Sequence, residues 1–316
     1  MKGINQENLI SIIIATYNRG SIISETLDSV INQTYSNWEC IIVDDGSDDS
    51  TQDVVLNYMH KDSRIKFFNR PKTMLKGPNS SRNFGILKAS GKFIMSLDSD
   101  DWILNNHLEA KMDIFNSNPE IDAVLSKTIM VDNEKNEIQK EHRTYLTDNL
   151  LEDFITLKVS WYMHDLMWRK SFLENKILYN EKLLKWLDRD FHIRRLAEFP
   201  KIYLLDDFLS LYRIHINSNS SNSNYKVLET RHQAVLDIID ILTEKKIITP
   251  DIKLFFFKFQ IQNLVVLYKS PDVFYLYKAL IKKTFLFKSN YFFWMLKLII
   301  GFFVFKLTGR GLIIIK

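Results

Sequence analysis

Residues 93–102 read "FIMSLDSDDW": an apolar run that ends in Asp98, Asp100 and Asp101, with Trp102 behind them. Three carboxylates within four positions repel one another unless cations or strong hydrogen-bond donors hold them. The run before them has the β-branched and apolar character of a buried strand, so the acidic group sits at a strand end.

The same arrangement recurs upstream. "LISIIIA" (9–15) is a continuous apolar run, as in a strand buried on both faces, and "TYN" follows it. "WECIIVDD" (38–45) is a second strand and runs into "GSDDS"; "RIKFF" (64–68) is a short third. Between the strands, "SIISETLDSVINQ" (21–33), with Ser21 as cap, "GSDDSTQDVVLNYM" (46–59) and "NSSRNFGILKAS" (79–90), closed by Gly91, have helical spacing. A helix over 105–117 and a strand over 121–131 continue the alternation. Strand and helix in turn predict an α/β fold with a mostly parallel central sheet, whose ligands bind at the carboxyl ends of the strands. The polar clusters all fall at those ends.

Composition narrows the function. The chain has 316 residues, 46% hydrophobic and 25% charged, enough for one large domain or two ordinary ones. Net charge is +4, but residues 252–316 hold ten Lys and one Arg against one Asp, so the rest is acidic. A basic, aromatic end of this kind suggests a partner of its own, such as an anionic membrane surface. Cys40 is the single cysteine, which excludes a disulfide framework and fits a reducing compartment. The stretch "MKGINQENLISIII" lacks the basic region and long apolar core of a signal peptide. Neither a G-x-G-x-x-G after the first strand nor a G-x-x-x-x-G-K-[ST] is present, which argues against dinucleotide dehydrogenases and P-loop enzymes.

An Asp-x-Asp on a strand-end turn can present oxygen ligands to Mg²⁺ or Mn²⁺, with waters and phosphate oxygens completing the shell. Alone the pattern is weak and is often a solvated turn. Asp44 and Asp45 can accept hydrogen bonds from a base or ribose, whereas Ser47 and Asp48 also suit a cap on the next helix.

"SIIIATYNRGSIISETLDSVINQTYSNWECIIVDDGSDDST" followed by "GPNSSRNFGILKASGKFIMSLDSDDW" resembles the nucleotide-sugar domain of glycosyltransferase family 2, over roughly residues 8–130 and more loosely to about 222. The resemblance implies a GT-A fold and sugar transfer from a nucleotide diphosphate sugar, by default a UDP-sugar, to a hydroxyl of a glycan or lipid-linked glycan in surface-polysaccharide assembly. It implies that Thr16, Tyr17, Asp44 and Asp45 meet the nucleotide base, Arg82 the nucleotide and phosphates, Asp98 the ribose, and Asp100 a Mg²⁺ or Mn²⁺ ion. Asp101 matches a position often acidic in the family. The general base of an inverting displacement matches Asp188 in "WLDRDFHIRRLAEF"; Leu187 stands where the family has a polar residue, and Asp190 is the alternative. Arg213 and His215 in "YRIHINSNS" are placed near the diphosphate or the metal, and Trp161, Tyr162, His164 and Trp168 on the acceptor side. Each of those aromatic residues is also what ordinary core packing uses.

The organisation expected is a catalytic domain over 1–225, with donor binding in about 8–130 and acceptor binding in about 131–225, then a helical extension over 226–316. In "NYFFWMLKLIIGFFVFKLTGRGLIIIK" (290–316) the charge-free runs 289–296 and 298–305 hold eight residues each. A spanning helix needs about 20, and Lys297 in mid-segment costs about 2.5–3.5 kcal/mol on insertion scales. Two short interfacial helices broken near Gly301 fit better, with the enzyme peripheral at the cytoplasmic face of the membrane and no nucleic-acid partner; a pair of helices packed on the catalytic domain is the alternative. Two rivals remain at this point: a non-catalytic sugar-nucleotide or glycan-binding protein on the same fold, and a nucleotidyltransferase. The second lacks its expected Gly- and Lys-rich loop, for "TYNRG" stands there.

Overall fold

The computed structural model describes residues 8–140, 147–214, 225–267 and 300. The expectations for the N-terminal residues 1–7, for His215 with its polar segment, and for the tail at 290–316 apart from Ile300 lie outside the described residues. The chain divides into two compact units.

The first unit comprises residues 1–148, 159–182 and 187–218. Among the described residues nine strands form one sheet, ordered β3-β2-β1-β4-β8-β6-β9-β5, with β7 paired to β6. β1 (Ile10–Thr16) lies parallel to β2 (Trp38–Asp44) and to β4 (Phe93–Ser96), and β2 lies parallel to β3 (Ile65–Asn69). Ile12, Ile13 and Ile14 are each 0% exposed, so β1 is covered on both faces, as its unbroken apolar run requires. α1 (Ile23–Ile31), α2 (Thr51–Lys61), α3 (Pro78–Lys88) and α4 (His107–Ser117) supply the covering layers. No side chain caps α1: Ser21 does not do so, and the cap position is Ile22.

Beyond β4 the sheet is mixed rather than mostly parallel. β8 (Leu166–Arg169) enters antiparallel between β4 and β6 (Ala123–Val131), and β9 (Ile202–Arg213) then runs parallel to β6. β5 (Trp102–Ile103), directly after the acidic turn, pairs antiparallel with β9, and β7 (Glu137–Lys140) pairs antiparallel with β6. The first unit also holds α6 (Lys170–Leu173) and α7 (Leu187–Leu196).

The second unit comprises 149–158, 183–186 and 219–316. It contains α5 (Leu150–Ile155), α8 (Tyr225–Glu244) and α9 (Pro250–Leu267). His232 of α8 and Gln260 of α9 share a buried hydrogen bond of 2.6 Å, and Trp186 stacks on Phe259 with centroids 4.5 Å apart. Among the described residues no helix is long and apolar enough to cross a membrane.

Helix α3 approaches the sheet at Gly85. A Cβ there would stand 2.5 Å from the Ile13 Cγ2 methyl. A close-packed core resists that insertion. Gly85→Ala is expected to lower stability by about 1–3 kcal/mol, measured by urea denaturation; an unchanged midpoint would show that α3 does not sit tightly on β1.

Candidate active site

The carboxyl ends of β1, β2 and β4 meet at one edge of the sheet. Thr16 pairs in register with Asp44, and the Asp45 N–H donates to the Thr16 carbonyl at 2.9 Å. Asp44 is buried, and its carboxylate is occupied by the turn it begins: it accepts from the Gly46 and Ser47 N–H groups, at 3.0 and 2.8 Å, and from the Ser47 hydroxyl. Gly46 has φ +90° there, which a side chain rarely adopts. Asp45 accepts from the Arg70 guanidinium and from the Gly77 N–H at 3.1 Å. Asp44 therefore shapes the loop, while Asp45 ties the start of α3 to the end of β2. Arg70 was not singled out from sequence; its only signal is an Arg at the end of the third strand.

Thr16 is buried, with its hydroxyl free of a protein partner. Tyr17 is 44% exposed, and the Lys76 ammonium lies 4.3 Å from its ring centroid. An open aromatic face beside a cation suits a planar base or a phosphate.

The turn after β4 closes with the Asp101 N–H on the Asp98 carbonyl at 3.2 Å. Each of its three carboxylates meets a cation. Arg82 Nη2 lies 2.6 Å from Asp98 Oδ1, Arg19 Nη2 lies 3.2 Å from Asp100 Oδ2, and His164 Nδ1 lies 3.3 Å from Asp101 Oδ2. The side chains of these cations are 9%, 38% and 0% exposed in that order.

Asp101 is the buried member. Burial pushes its carboxyl up to about 6, with His164 opposing the rise. Burial alone would lower His164, but Asp101 and Asp165 outweigh it and the imidazole is raised. Behind His164 the polar chain continues inward. His164 Nε2 is 3.1 Å from the Thr128 hydroxyl, Thr128 donates to Asp165, and the Lys111 ammonium donates to the Asp165 carbonyl at 2.6 Å. Burial brings Lys111 down to about 7.

Trp161, His164 and Trp168, expected on the acceptor side, are all buried in this structure. They are 4%, 0% and 3% exposed. Trp168 stacks on Phe172, with centroids 5.4 Å apart, and meets Phe191 edge-on; Trp161 meets the His192 ring. In this conformation none of the three offers an open face to a sugar. Arg213 likewise turns inward, 3% exposed at its side chain. Its N–H donates to Asp101 Oδ1 and its Nε to the Asp100 carbonyl, both at 2.9 Å, and its Nη2 reaches Glu25 Oε2 at 2.8 Å. Arg213 thus braces the acidic turn from beneath.

Asp188 lies in the first turn of α7, where the Arg189 N–H donates to it at 2.8 Å. Its carboxyl is raised above its ordinary value by burial first and by the Asp98 charge, against the lowering effect of Arg82. Asp188 therefore lies within electrostatic reach of Asp98 and Arg82. Asp190, two residues on, is 0% exposed and paired with Arg194 at 2.9 Å. Tyr179, absent from the sequence expectations, completes this corner. Its hydroxyl is 3.0 Å from Ser96, Arg82 lies over its ring at 5.7 Å, and burial pushes it up to about 12.

Among the described residues no group of three His, Cys, Asp or Glu side chains is placed to hold a metal by itself. Mg²⁺ and Mn²⁺ at phosphate sites use one or two carboxylates and take their other oxygens from substrate and water. Asp100, 20% exposed and paired with a surface arginine, fits that role.

Comparison with known proteins places these features. The profile described as Glycosyl transferase family 2 matches residues 11–207. An uncharacterised glycosyltransferase of Methanocaldococcus jannaschii is 32% identical over 223 residues, 69% of this chain and 75% of that protein. The GalNAc(5)-diNAcBac-PP-undecaprenol beta-1,3-glucosyltransferase of Campylobacter jejuni is 29% identical over 224 residues, 66% of this chain and 71% of that protein. Among solved structures, S. aureus TarS 1–349 in complex with UDP superposes with a TM-score of 0.62 at 20% identity, covering 96% of this chain and 82% of that one. The fold is of the GT-A type, α/β with a helical C-terminal portion.

Replacing His164 by Leu leaves Asp101 buried without its cation. That is expected to cost about 3–5 kcal/mol of stability, measured by urea denaturation. A loss under 1 kcal/mol would show that the Asp101–His164 pair does not hold the turn.

Proposed function

The chain belongs to glycosyltransferase family 2 and is a glycosyltransferase, and on that premise we propose that it moves a sugar, with inversion, from a UDP-sugar to a hydroxyl of a lipid-linked glycan. The observation that supports this reading is the Arg82–Asp98 ion pair of 2.6 Å beyond the end of β4, with the Asp188 carboxyl raised by burial and then by the Asp98 charge.

Tyr17 and Asp45 frame the place for the base, and Asp98 the place for the ribose. Arg82, positive and almost buried, stabilises the diphosphate as negative charge develops on it. A divalent ion held by Asp100 would add charge neutralisation at the leaving diphosphate. Asp188 acts as general base. Its carboxylate takes the proton of the acceptor hydroxyl as that oxygen attacks the anomeric carbon. The bond from that carbon to the diphosphate oxygen breaks in the same displacement, so the configuration inverts. A base works best when its pKa approaches the working pH, and the raised Asp188 carboxyl fits that need. Asp190 is already engaged by Arg194 and is the weaker candidate.

The donor assignment draws support from the fold likeness to a protein solved with UDP, and the acceptor assignment from a relative named for an undecaprenol-linked substrate. An acceptor on a lipid carrier also gives the basic, aromatic segment 290–316 a purpose, since its lysines would meet anionic head groups at about 1 kcal/mol each. The reading places the enzyme at the cytoplasmic face of the membrane. Full-length protein is expected to pellet with anionic vesicles and to be released from them by high salt. Equal recovery in the supernatant with and without vesicles would remove the membrane from the account.

Asp188→Asn is expected to bind UDP as the wild type does while losing about 10²–10⁴-fold in kcat. Because the base must be ionised, kcat/KM of the wild type should fall as pH drops through the Asp188 pKa, at a pH above the ordinary carboxylate value of about 4. Turnover by Asp188→Asn at the wild-type rate would exclude Asp188 as the base.

A further inference from the structure

The three cations of the acidic turn differ in one respect: whether they can leave. His164 is wholly enclosed, and withdrawing it would strand a buried charge on Asp101. Arg82 is 9% exposed and comes from the interior face of α3. Arg19 alone of the three reaches the turn through solvent, with 38% of its side chain exposed, and its partner Asp100 is 20% exposed. A pair of that exposure changes an equilibrium by no more than about five-fold.

The backbone beneath Arg19 is fixed. The Arg19 N–H donates to the Thr51 hydroxyl at 2.8 Å, the Gly20 N–H to Asp49 Oδ2 at 2.9 Å, and the Asp48 N–H to Asn18 Oδ1 at 3.0 Å. A Cβ on Gly20 would come within 2.8 Å of the Thr51 nitrogen, so the loops after β1 and β2 are closely locked. The guanidinium is therefore the movable end of a rigid mount at the rim of the acidic corner. It occupies the carboxylate that a divalent ion would need.

We propose that Arg19 is the exchangeable counter-ion of Asp100: it neutralises that carboxylate in the ligand-free enzyme, yields it to the divalent cation, and then binds the donor's diphosphate. The inference rests on the reading that this corner takes a nucleotide diphosphate with a divalent ion. A guanidinium offers planar paired donors that match phosphate oxygens, so the displaced side chain finds its next partner in the incoming ligand. The exchange conserves charge balance at the corner. One positive charge leaves Asp100, two arrive with the ion, and the diphosphate brings the negative charge that Arg19 follows. Metal and nucleotide would then bind cooperatively through this side chain as well as through direct contact.

The test uses the full chain as wild type, Arg19→Gln and Arg19→Lys, with Mn²⁺ alone and Mn²⁺ with UDP as probes. Free Mn²⁺ is followed by electron paramagnetic resonance, and UDP binding at saturating Mn²⁺ by calorimetry. Without nucleotide, Arg19→Gln is expected to bind Mn²⁺ about two- to five-fold more tightly than wild type, because the competing cation is gone. With Mn²⁺ present, the same variant is expected to bind UDP about ten-fold more weakly, having lost a charged hydrogen bond to phosphate. Arg19→Lys keeps the charge but not the fork and should fall between the two in both measurements. A purely structural role for Arg19 would weaken both ligands together. Unchanged or weaker Mn²⁺ binding by Arg19→Gln, or unchanged UDP binding, while wild type binds both, overturns the exchange and leaves the proposed function standing. Wild-type protein that binds neither UDP nor Mn²⁺ overturns both.

Discussion

Asp98, Asp100 and Asp101 stand together because three separate parts of the chain each bring a positive charge to them: Arg82 from α3, Arg19 from the loop after β1, and His164 from the turn before β8. Unscreened carboxylates this close would drive the turn apart or force protons onto it. Much of the surrounding architecture can be understood as the means of delivering those cations. Gly85 lets α3 lie close on β1, which sets Arg82 over the end of β4. The antiparallel entry of β8 carries His164 beneath the turn. The long β9 ends at Arg213, whose N–H and guanidinium hold Asp101 and the Asp100 carbonyl.

That arrangement sorts three similar side chains into different uses by burial alone. Asp101, enclosed with His164, is a structural anchor whose polar chain runs on through Thr128 and Asp165 to Lys111. Asp98, its side chain 36% exposed, pairs with Arg82 and keeps part of its surface open. Asp100 faces outward with a partner that solvent can reach. Helix α7 repeats the lesson within three residues. Asp190 is buried in an ion pair with Arg194 one turn on. Asp188 has no such ion pair among the described residues, and burial first and the Asp98 charge next raise its carboxyl.

The first half of the fold was legible in the sequence because parallel strands buried on both faces leave unbroken β-branched runs, as β1 and β2 do. The second half was less so. β8 is four residues, β5 is two, and neither is long enough to show a period. The antiparallel entry of β8, which makes the sheet mixed, leaves no mark on local pattern. The acidic residues of the site could be found from their position at strand ends. Arg82, Arg213 and His164 were named through the family resemblance, but which acidic group each one holds was not readable, since Arg82 lies 16 residues and Arg213 over 110 residues from its partner. His164, Trp161 and Trp168 show the converse difficulty: residue types that suit a sugar also suit a core, and sequence does not tell that these three are buried.

In the proposed enzyme a divalent ion and a diphosphate complete the charge balance of this corner. A crystal structure of the full chain grown with UDP and Mn²⁺ tests it most directly. The account expects the ion bound to Asp100 and the diphosphate, the Arg19 guanidinium turned from the carboxylate to phosphate, and the Asp101–His164 pair unmoved. Nucleotide absent from the corner, or bound with Arg19 still on Asp100 and no ion beside it, would contradict the account.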